Sequence, residues 1–512
     1  MIQFQYRWVK HDLRPAFTIS LRLPGVFEVN VLVIMSDEHN RKVMGAYGHP
    51  VIRTPNLDAL ARRGARFTNA YCNSPICVPS RASFATGRYP HDIESWDNAA
   101  PYVGQARSWA HPLREARHRV VSIGKLHYRS DDDDTGFEEQ RLSMHVMEGV
   151  GDLRGNLLRE PQPLRRLARS KLVDVGAGES EYNRYDWAIA DEAVKFLGSE
   201  AATQSRPWAA FVSFISPHFP LIAPQRYIDM YPPESVVLPQ QYALDERPHH
   251  PVLDALRTAF DVADEFDEMT VRRALGAYYA LCTFMDEQVG RVLDALTASG
   301  VADDTLVLYT SDHGDQIGEH GLWWKYTMYE GSVGVPLLLS GPSVPHGAVV
   351  DAPVSLVDVY PTICDVFALD PHPADAGLRG ASLMPFARGE RSDERVIFAE
   401  YHAMGSITGS FMLREGRYKL IYYAGYRPQL FDLAADPDEL VDLGSDPAYA
   451  DVRNRCERHL RAIADPDDLD RRARGSQLQR LELAGGADAV DAIGDRFAYS
   501  PAPAQFRDPV SA

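Results

Sequence analysis

The sequence predicts an α/β fold: a mixed, mostly parallel β-sheet sandwiched by helices, followed by a smaller C-terminal α+β subdomain containing an antiparallel sheet. Three observations carry it. Short apolar runs rich in β-branched residues recur along the chain, bounded by turn residues and separated by helix-like stretches, as buried parallel strands do. Each run leads directly into polar chemistry. Beyond about residue 390 the texture changes to short alternating strands around a tight turn.

Taken in order, residues 1–29 carry Arg7, Lys10, Arg14 and Arg22 but no unbroken apolar core of signal-peptide length, so export is not supported. They read as an N-terminal extension, an interface arm or the product of too early a start codon. The strand runs are Asn30–Ser36, Val120–Gly124, Ala209–Ser216 and Thr305–Ser311, with a fifth at Val335–Ser340. Asp37 and Glu38 follow the first, Lys125 and His127 the second, His218 the third, and Asp312 and His313 the fourth. Open α/β sheets bind ligands at the carboxyl ends of their strands, so these distant segments are expected to converge on one pocket. A helix is expected from Thr54 as N-cap and Pro55 at the first helical position to near Gly64. A longer one is expected over Arg272–Ser299, with Gly300 as its stop. The catalytic α/β domain is expected over 30–390 and the C-terminal subdomain over 391–465, where Phe411–Leu413 and Tyr418–Tyr423 flank a turn at Glu415 and Gly416. Residues 466–512 read as a helix and an extended tail at an oligomer interface.

Composition narrows the function. With 512 residues the chain is long enough for two to four domains at about 150 residues each, which excludes a small binding module. The 53 Lys and Arg against 71 Asp and Glu leave a net charge of −18, which opposes phosphate-backbone binding; no nucleic-acid partner is expected. No apolar stretch reaches bilayer-spanning length, so no membrane partner is expected either. Five cysteines cannot staple so long a chain, and a reducing, cytoplasmic location is expected.

The segment Cys77–Arg88 reads C-V-P-S-R-A-S-F-A-T-G-R, with Pro79 placed for a first helical position and Gly87 for a stop. Cys77 would lie at a helix N-terminus, where free N–H groups and the dipole favour anions and depress a thiol pKa, and Arg81 adds a fixed cation. A small buried cysteine beside a structural arginine is the plainer alternative. The carboxylates Asp37 and Asp312 would repel by about 4 kcal/mol at 4 Å with an effective dielectric near 20, a cost that a bound cation removes. Oxygen ligands point to Ca²⁺, Mg²⁺ or Mn²⁺, and a histidine shifts the balance toward Mn²⁺.

C-V-P-S-R with the downstream T-G-R resembles the signature of type I sulfatases, a formylglycine-dependent family of the alkaline phosphatase superfamily that includes arylsulfatases and choline-sulfatases. Also similar, in the same order, are S-D-E-H, T-P-N-L-D-A-L-A-R-R-G-A-R-F-T-N-A-Y, G-K-L-H, S-P-H, T-S-D-H-G-D and G-E-H-G-L-W-W-K, so the likeness spans roughly residues 30–460. Ala85 departs from it, since the family more often has leucine or methionine there. The resemblance implies an alkaline-phosphatase-like sheet and hydrolysis of aryl or alkyl sulfate monoesters. It implies that Cys77 is oxidised to formylglycine by a formylglycine-generating enzyme, an obligatory partner, and that the hydrated aldehyde supplies the nucleophile. It further implies Asp37, Asp312 and His313 as ligands of one divalent ion, Ca²⁺ or Mn²⁺, with Glu38 ligating, touching metal-bound groups or pointing away. Lys125 would stabilise the nucleophile, His127 take a proton as sulfate leaves, and His218 and Lys325 clamp sulfate oxygens and protonate the leaving group, beside Arg81.

Alternatives stay open. The same site could act on phosphonate monoesters or phosphodiesters, or on both ester classes. A catalytically silent binding protein or a phosphomutase using Ser80 or Ser83 are further readings. Trp323 and Trp324 read as pocket wall or core, His39, His320 and His402 as core or surface, and Asp131–Asp134 as a solvated loop. A homo-oligomer, dimer or tetramer, is expected. Residues 145–185 and 240–270 read as specificity loops without a decodable pattern.

Overall fold

The computed structural model describes residues 29–160, 162–392, 395–494 and 500–507. The expected N-terminal extension, apart from Val29, lies outside the described residues. Eight strands form the main sheet: β1 (Asn30–Asp37), β2 (Ala65–Phe67), β3 (Arg119–Lys125), β4 (Glu139–Met144), β5 (Trp208–Pro217), β6 (Thr305–Ser311), β7 (Leu337–Ser340) and β8 (Ala348–Val350). Their order is β8-β2-β7-β6-β1-β5-β3-β4. β1 runs parallel to both β5 and β6, and β3 parallel to both β5 and β4. β7 is antiparallel to β6 and β2, although its sequence reads like the others. A parallel return needs a crossover of a dozen or more residues, usually a helix. Between β6 and β7 the chain forms two single turns, the 3-10 turn Glu319–Gly321 and the helix Glu330–Val333, and instead lines the strand ends.

Alternation along β1 divides the core. Val31, Val33 and Met35 join one hydrophobic layer with Phe84, Trp109 and Phe211, while Leu32 and Ile34 join the other. That second layer is covered by α3 (Glu181–Ser199) and α4 (Glu268–Ala298) through Ile189, Phe196, Met285, Val289 and Val292. Two of the helices that precede them are α1 (Pro55–Arg62) and α2 (Cys77–Thr86). Thr54 stands at the N-cap of α1 but makes no capping bond with its side chain. The cap comes from α4 instead, where the Asp286 carboxylate accepts from the Asn56 and Leu57 backbone N–H groups at 3.1 and 2.8 Å. α4 starts four residues earlier than expected because Asp267 caps it, accepting from the Thr270 N–H.

A second, antiparallel sheet follows in chain order: β9 (Val396–Tyr401), β10 (Ser410–Glu415), β11 (Tyr418–Tyr423) and β12 (Gln429–Asp432). Gly416 takes φ 56° at the tight turn, a left-handed conformation that glycine adopts without strain. Phe398, Phe411, Leu413 and Leu430 pack beneath Cys456 and Leu460 of α5 (Ala450–Ile463) and Leu469 and Ala473 of α6 (Pro466–Leu483). Lys419 of β11 ties this sheet to the strand-end segment, donating to Glu330 at 2.9 Å, with Glu439 at 2.8 Å. The described tail residues return to α3 of their own chain: the Tyr182 hydroxyl donates to the Ser500 carbonyl and Ala502 is buried. Among the described residues, no helix is long and apolar enough to cross a membrane.

Candidate active site

The sheet is most irregular where the polar residues emerge. The pairing of β1 with β5 slips between Met35 and Asp37, and that of β3 with β4 slips between Ile123 and Lys125. Such slips bend a strand and re-aim its last side chains. Asp37 and Lys125 consequently meet, the ammonium 2.5 Å from the carboxylate. Lys125 and His127 do not reach the pocket by continued extension, because Gly124 and His127 take φ of 99° and 58°. The chain turns there, and both side chains still line the cavity.

α2 delivers the cysteine. Ile76 is extended, Cys77 opens the helix and Pro79 is its third residue rather than its first. One turn on, Arg81 is buried and holds the strand ends together. It donates to Asp312 at 2.7 Å, Asp37 at 3.1 Å, the Lys125 carbonyl at 2.8 Å and the Ser213 hydroxyl at 2.9 Å. The Cys77 sulfur lies 3.2 Å from His313 Nε2, 3.4 Å from Lys325 Nζ and 3.7 Å from an Asp37 oxygen. His313 Nδ1 lies 3.0 Å from the Gly314 carbonyl; a proton donated there leaves Nε2 as an acceptor facing the thiol.

The thiol corrects one expectation. Its pKa is pushed up to about 12, first by burial and then by the Asp37 carboxylate, rather than depressed by the helix terminus. The unmodified sulfur is therefore a poor nucleophile at neutral pH. Asp37 is held well below the usual carboxylate range, because Lys125, His218 and Arg81 outweigh the opposing effect of burial. His127 and His218 are both kept far below ordinary imidazole values by burial and by neighbouring cations, Lys125 for the former and Lys325 for the latter. His218 Nδ1 lies 2.7 Å from the Phe219 carbonyl and Nε2 3.3 Å from Glu38. Neither ring nitrogen of His127 has a hydrogen-bond partner among the described residues.

A divalent ion fits this donor set. One ligand atom each from Asp37, Cys77, Asp312 and His313 lies within 4.8 Å of the others, and Asp37, Glu38 and His218 form an overlapping group. Glu38, at φ 68°, donates its backbone N–H to Asp312, turns one oxygen to Lys325 at 3.1 Å and leaves Oε1 buried with no hydrogen-bond partner among the described residues. Unpaired buried carboxylate oxygens beside an imidazole are what an oxygen-preferring cation satisfies.

All ten residues singled out from the sequence thus gather at one rim of the sheet. Cys77, Lys125, His127, His218 and Lys325 line a cavity of about 140 Å³, and the remaining five sit below it. The expected specificity loops supply much of the cavity's outer wall, with Lys171 and Tyr182 from 145–185 and Phe260 from 240–270, although the sequence singled out none of these residues, nor Asn98. Asn98 has a local role, accepting the Val78 N–H at the start of α2. The bystander readings agree with the structure. His39 is buried between Tyr309 and the Val43 carbonyl, His320 stacks on Tyr329, His402 pairs with Glu400, and all five cysteines are free thiols. Asp131, Asp133 and Asp134 pair with His145, Arg129 and Arg114.

Comparison with known proteins decides the family. The sulfatase family profile matches residues 29–369, and that of the N-sulphoglucosamine sulphohydrolase C-terminal region matches 318–465. The chain belongs to the sulfatase family. This sulfatase is accordingly a sulfuric ester hydrolase, and its sheet is the alkaline-phosphatase-like one expected. It is 35% identical to the choline-sulfatase of Rhizobium meliloti over 88% of this chain and 90% of the relative. It is 32% identical to arylsulfatase K of Danio rerio, over 90% and 85%. Among solved structures, the phosphonate monoester hydrolase of Agrobacterium radiobacter aligns with a TM-score of 0.68 and 26% identity, covering 85% of this chain and 95% of that one.

Proposed function

We propose that this sulfatase hydrolyses aryl or alkyl sulfate monoesters with residue 77 as formylglycine. The observation that carries the reading is the position of the Cys77 sulfur, which stands in for oxygen of the oxidised side chain, within 3.7 Å of Lys325, His313 and Asp37 together. Oxidised, residue 77 supplies a hydrated aldehyde, with one hydroxyl to attack sulfur and a second to expel sulfate as the aldehyde reforms. Asp37, Asp312 and His313, with Glu38 beside them, would hold Ca²⁺ or Mn²⁺, which when bound neutralises charge on the ester oxygens.

The remaining work falls to the chain's own groups. Lys125 and Arg81 hold the Asp37 carboxylate in place, and Lys325 reaches from Glu38 to residue 77, where its ammonium stabilises oxyanion charge. His127, neutral and with both ring nitrogens unpartnered among the described residues, takes the proton as sulfate departs. His218, its Nδ1 proton held by the Phe219 carbonyl, delivers to the leaving oxygen a second proton that its Nε2 takes up once the anionic ester is bound, because the ester's negative charge favours the imidazolium. Free thiols support a reducing, cytoplasmic location, and Leu478 and Leu483, exposed on α6, support a dimer or tetramer.

Peptide mass spectrometry across residue 77 tests the reading: the mass loss of thiol-to-aldehyde conversion is expected after co-expression with a formylglycine-generating enzyme. Cys77→Ala should abolish turnover of 4-nitrophenyl sulfate, and near-full activity in that variant would end the proposal. The phosphonate monoester hydrolase neighbour favours a second reading on phosphorus esters. Rates on an aryl sulfate, a phosphonate monoester and a phosphodiester, measured side by side, separate the two.

A further inference from the structure

Lys171 lies on the wall of the catalytic cavity, in a segment where the sequence offered no pattern. Its ammonium sits 3.9 Å from the centroid of the Phe219 ring and 5.4 Å from that of Trp324. Among the described residues it has neither an ion pair nor a hydrogen bond. Lys325, which touches residue 77, lies 5.4 Å from the same Phe219 centroid, so the two ammonium groups are separated by no more than the sum of those distances. Arg165 and Arg154 line the same wall. The acidic residues that act on Lys171 are engaged elsewhere, Asp152 with Arg165 at 2.7 Å and Glu38 with Lys325 at 3.1 Å, and Glu148 is exposed at the mouth.

Lys171 is half-buried, and an ammonium partly withdrawn from water with no anion paired to it sheds its proton more readily than a solvated one. Burial, followed by Arg165 and Lys325, accordingly lowers Lys171 to about 7. The two aromatic faces compensate in part, as cation–π contacts do. An anion arriving on the substrate would complete the site. We propose that Lys171, with Arg165 and Arg154 beside it, binds a second anionic group of the substrate, a carboxylate or a further sulfate, placed within one small molecule's span of the ester cleaved at residue 77. The substrate class is then an acidic organic sulfate, not a neutral or cationic one. This rests on the sulfatase reading and adds the charge of the group beyond the ester oxygen.

The test is a panel of 4-carboxyphenyl sulfate, 1,4-phenylene bis-sulfate, 4-nitrophenyl sulfate and choline sulfate, assayed with the formylglycine-bearing enzyme and with Lys171→Met, which keeps an apolar stem of similar length. The wild type is expected to favour one or both anionic esters over the neutral one by at least tenfold in kcat/KM, and Lys171→Met to lower that ratio at least tenfold. Whichever anionic ester leads identifies the group. Titration calorimetry with the Cys77→Ala protein, and with Cys77→Ala/Lys171→Met, reads the same preference in Kd without turnover. A preference that is absent, that runs toward choline sulfate, or that survives Lys171→Met overturns the subsite. Binding preference without turnover supports the subsite and strikes the reaction instead.

Discussion

The guanidinium of Arg81 donates to the Asp312 carboxylate over 2.7 Å, joining the helix that opens at Cys77 to the strand end that carries Asp312 and His313. It also reaches Asp37, so one cation neutralises two carboxylates that are both inaccessible to solvent. Removing one partner of a buried pair leaves an uncompensated charge, at a cost of about 3 to 5 kcal/mol. Arg81→Ala is expected to lower stability by that order in urea denaturation and to reduce kcat/KM by roughly a hundredfold or more. Arg81→Lys should recover stability better than activity, because an ammonium lacks the fork that holds two carboxylates and a carbonyl at once. Equal recovery of both would reduce Arg81 to a structural cation.

Metal removal should weaken the fold as well as the reaction. Asp37, Glu38 and Asp312 are buried together, and Lys125, Arg81 and Lys325 meet only some of their oxygens. Dialysis against a chelator is expected to lower Tm, and titration with Ca²⁺ or Mn²⁺ to restore it, the bound ion contributing about 2.7 kcal/mol of unfolding free energy at a hundredfold excess over Kd. Asp312→Asn should blunt that response. A Tm indifferent to both ions would remove the metal from the reading.

His218 and His127 should fail differently. A proton delivered to a leaving oxygen matters most when that oxygen is strongly basic, so His218→Ala is expected to harm alkyl sulfates far more than 4-nitrophenyl sulfate. His127→Ala should lower kcat by about 10² to 10⁴ for both, since release of sulfate follows departure of the alcohol. A leaving-group series read as Brønsted slopes checks this, and identical slopes for the two variants would cancel the assignment.

What the sequence disclosed and what it hid follow from the range of the interactions. Asp37, Lys125, His218 and Asp312 were legible because each directly follows an apolar run, and strand ends in one sheet share a rim. The register slips at Asp37 and Lys125, and the left-handed turn at His127, were not legible: they arise from pairing with β5 and β4, so the expected extended geometry reached the right residues by the wrong route. The depressed thiol failed for a related reason, since burial and Asp37 are tertiary and outweigh a helix terminus that the local pattern displays. Lys171 was invisible because its partners, Phe219 and Trp324, come from segments far away in sequence.

A pH dependence of stability is set away from the reaction by His91 and Glu400, 2.8 Å apart and both buried beside the second sheet. Glu400 is held at about 2, since His91 and the hydrogen bonds from both histidines outweigh burial, and His91 is raised because Glu400 outweighs its burial. A carboxylate depressed in the fold contributes stability above its unfolded pKa, near 4.5, and loses it as pH falls toward 2. A histidine raised in the fold contributes below its unfolded value, near 6.5, and loses it as pH climbs through the folded one. The pair therefore stabilises most between about pH 4.5 and 6.5, by no more than about 3 kcal/mol for the carboxylate. Tm measured from pH 4 to 8 should fall on the alkaline side more steeply in wild type than in Glu400→Gln, where His91 has lost its counter-charge. Parallel profiles for the two proteins would show that His91 carries no proton in the fold.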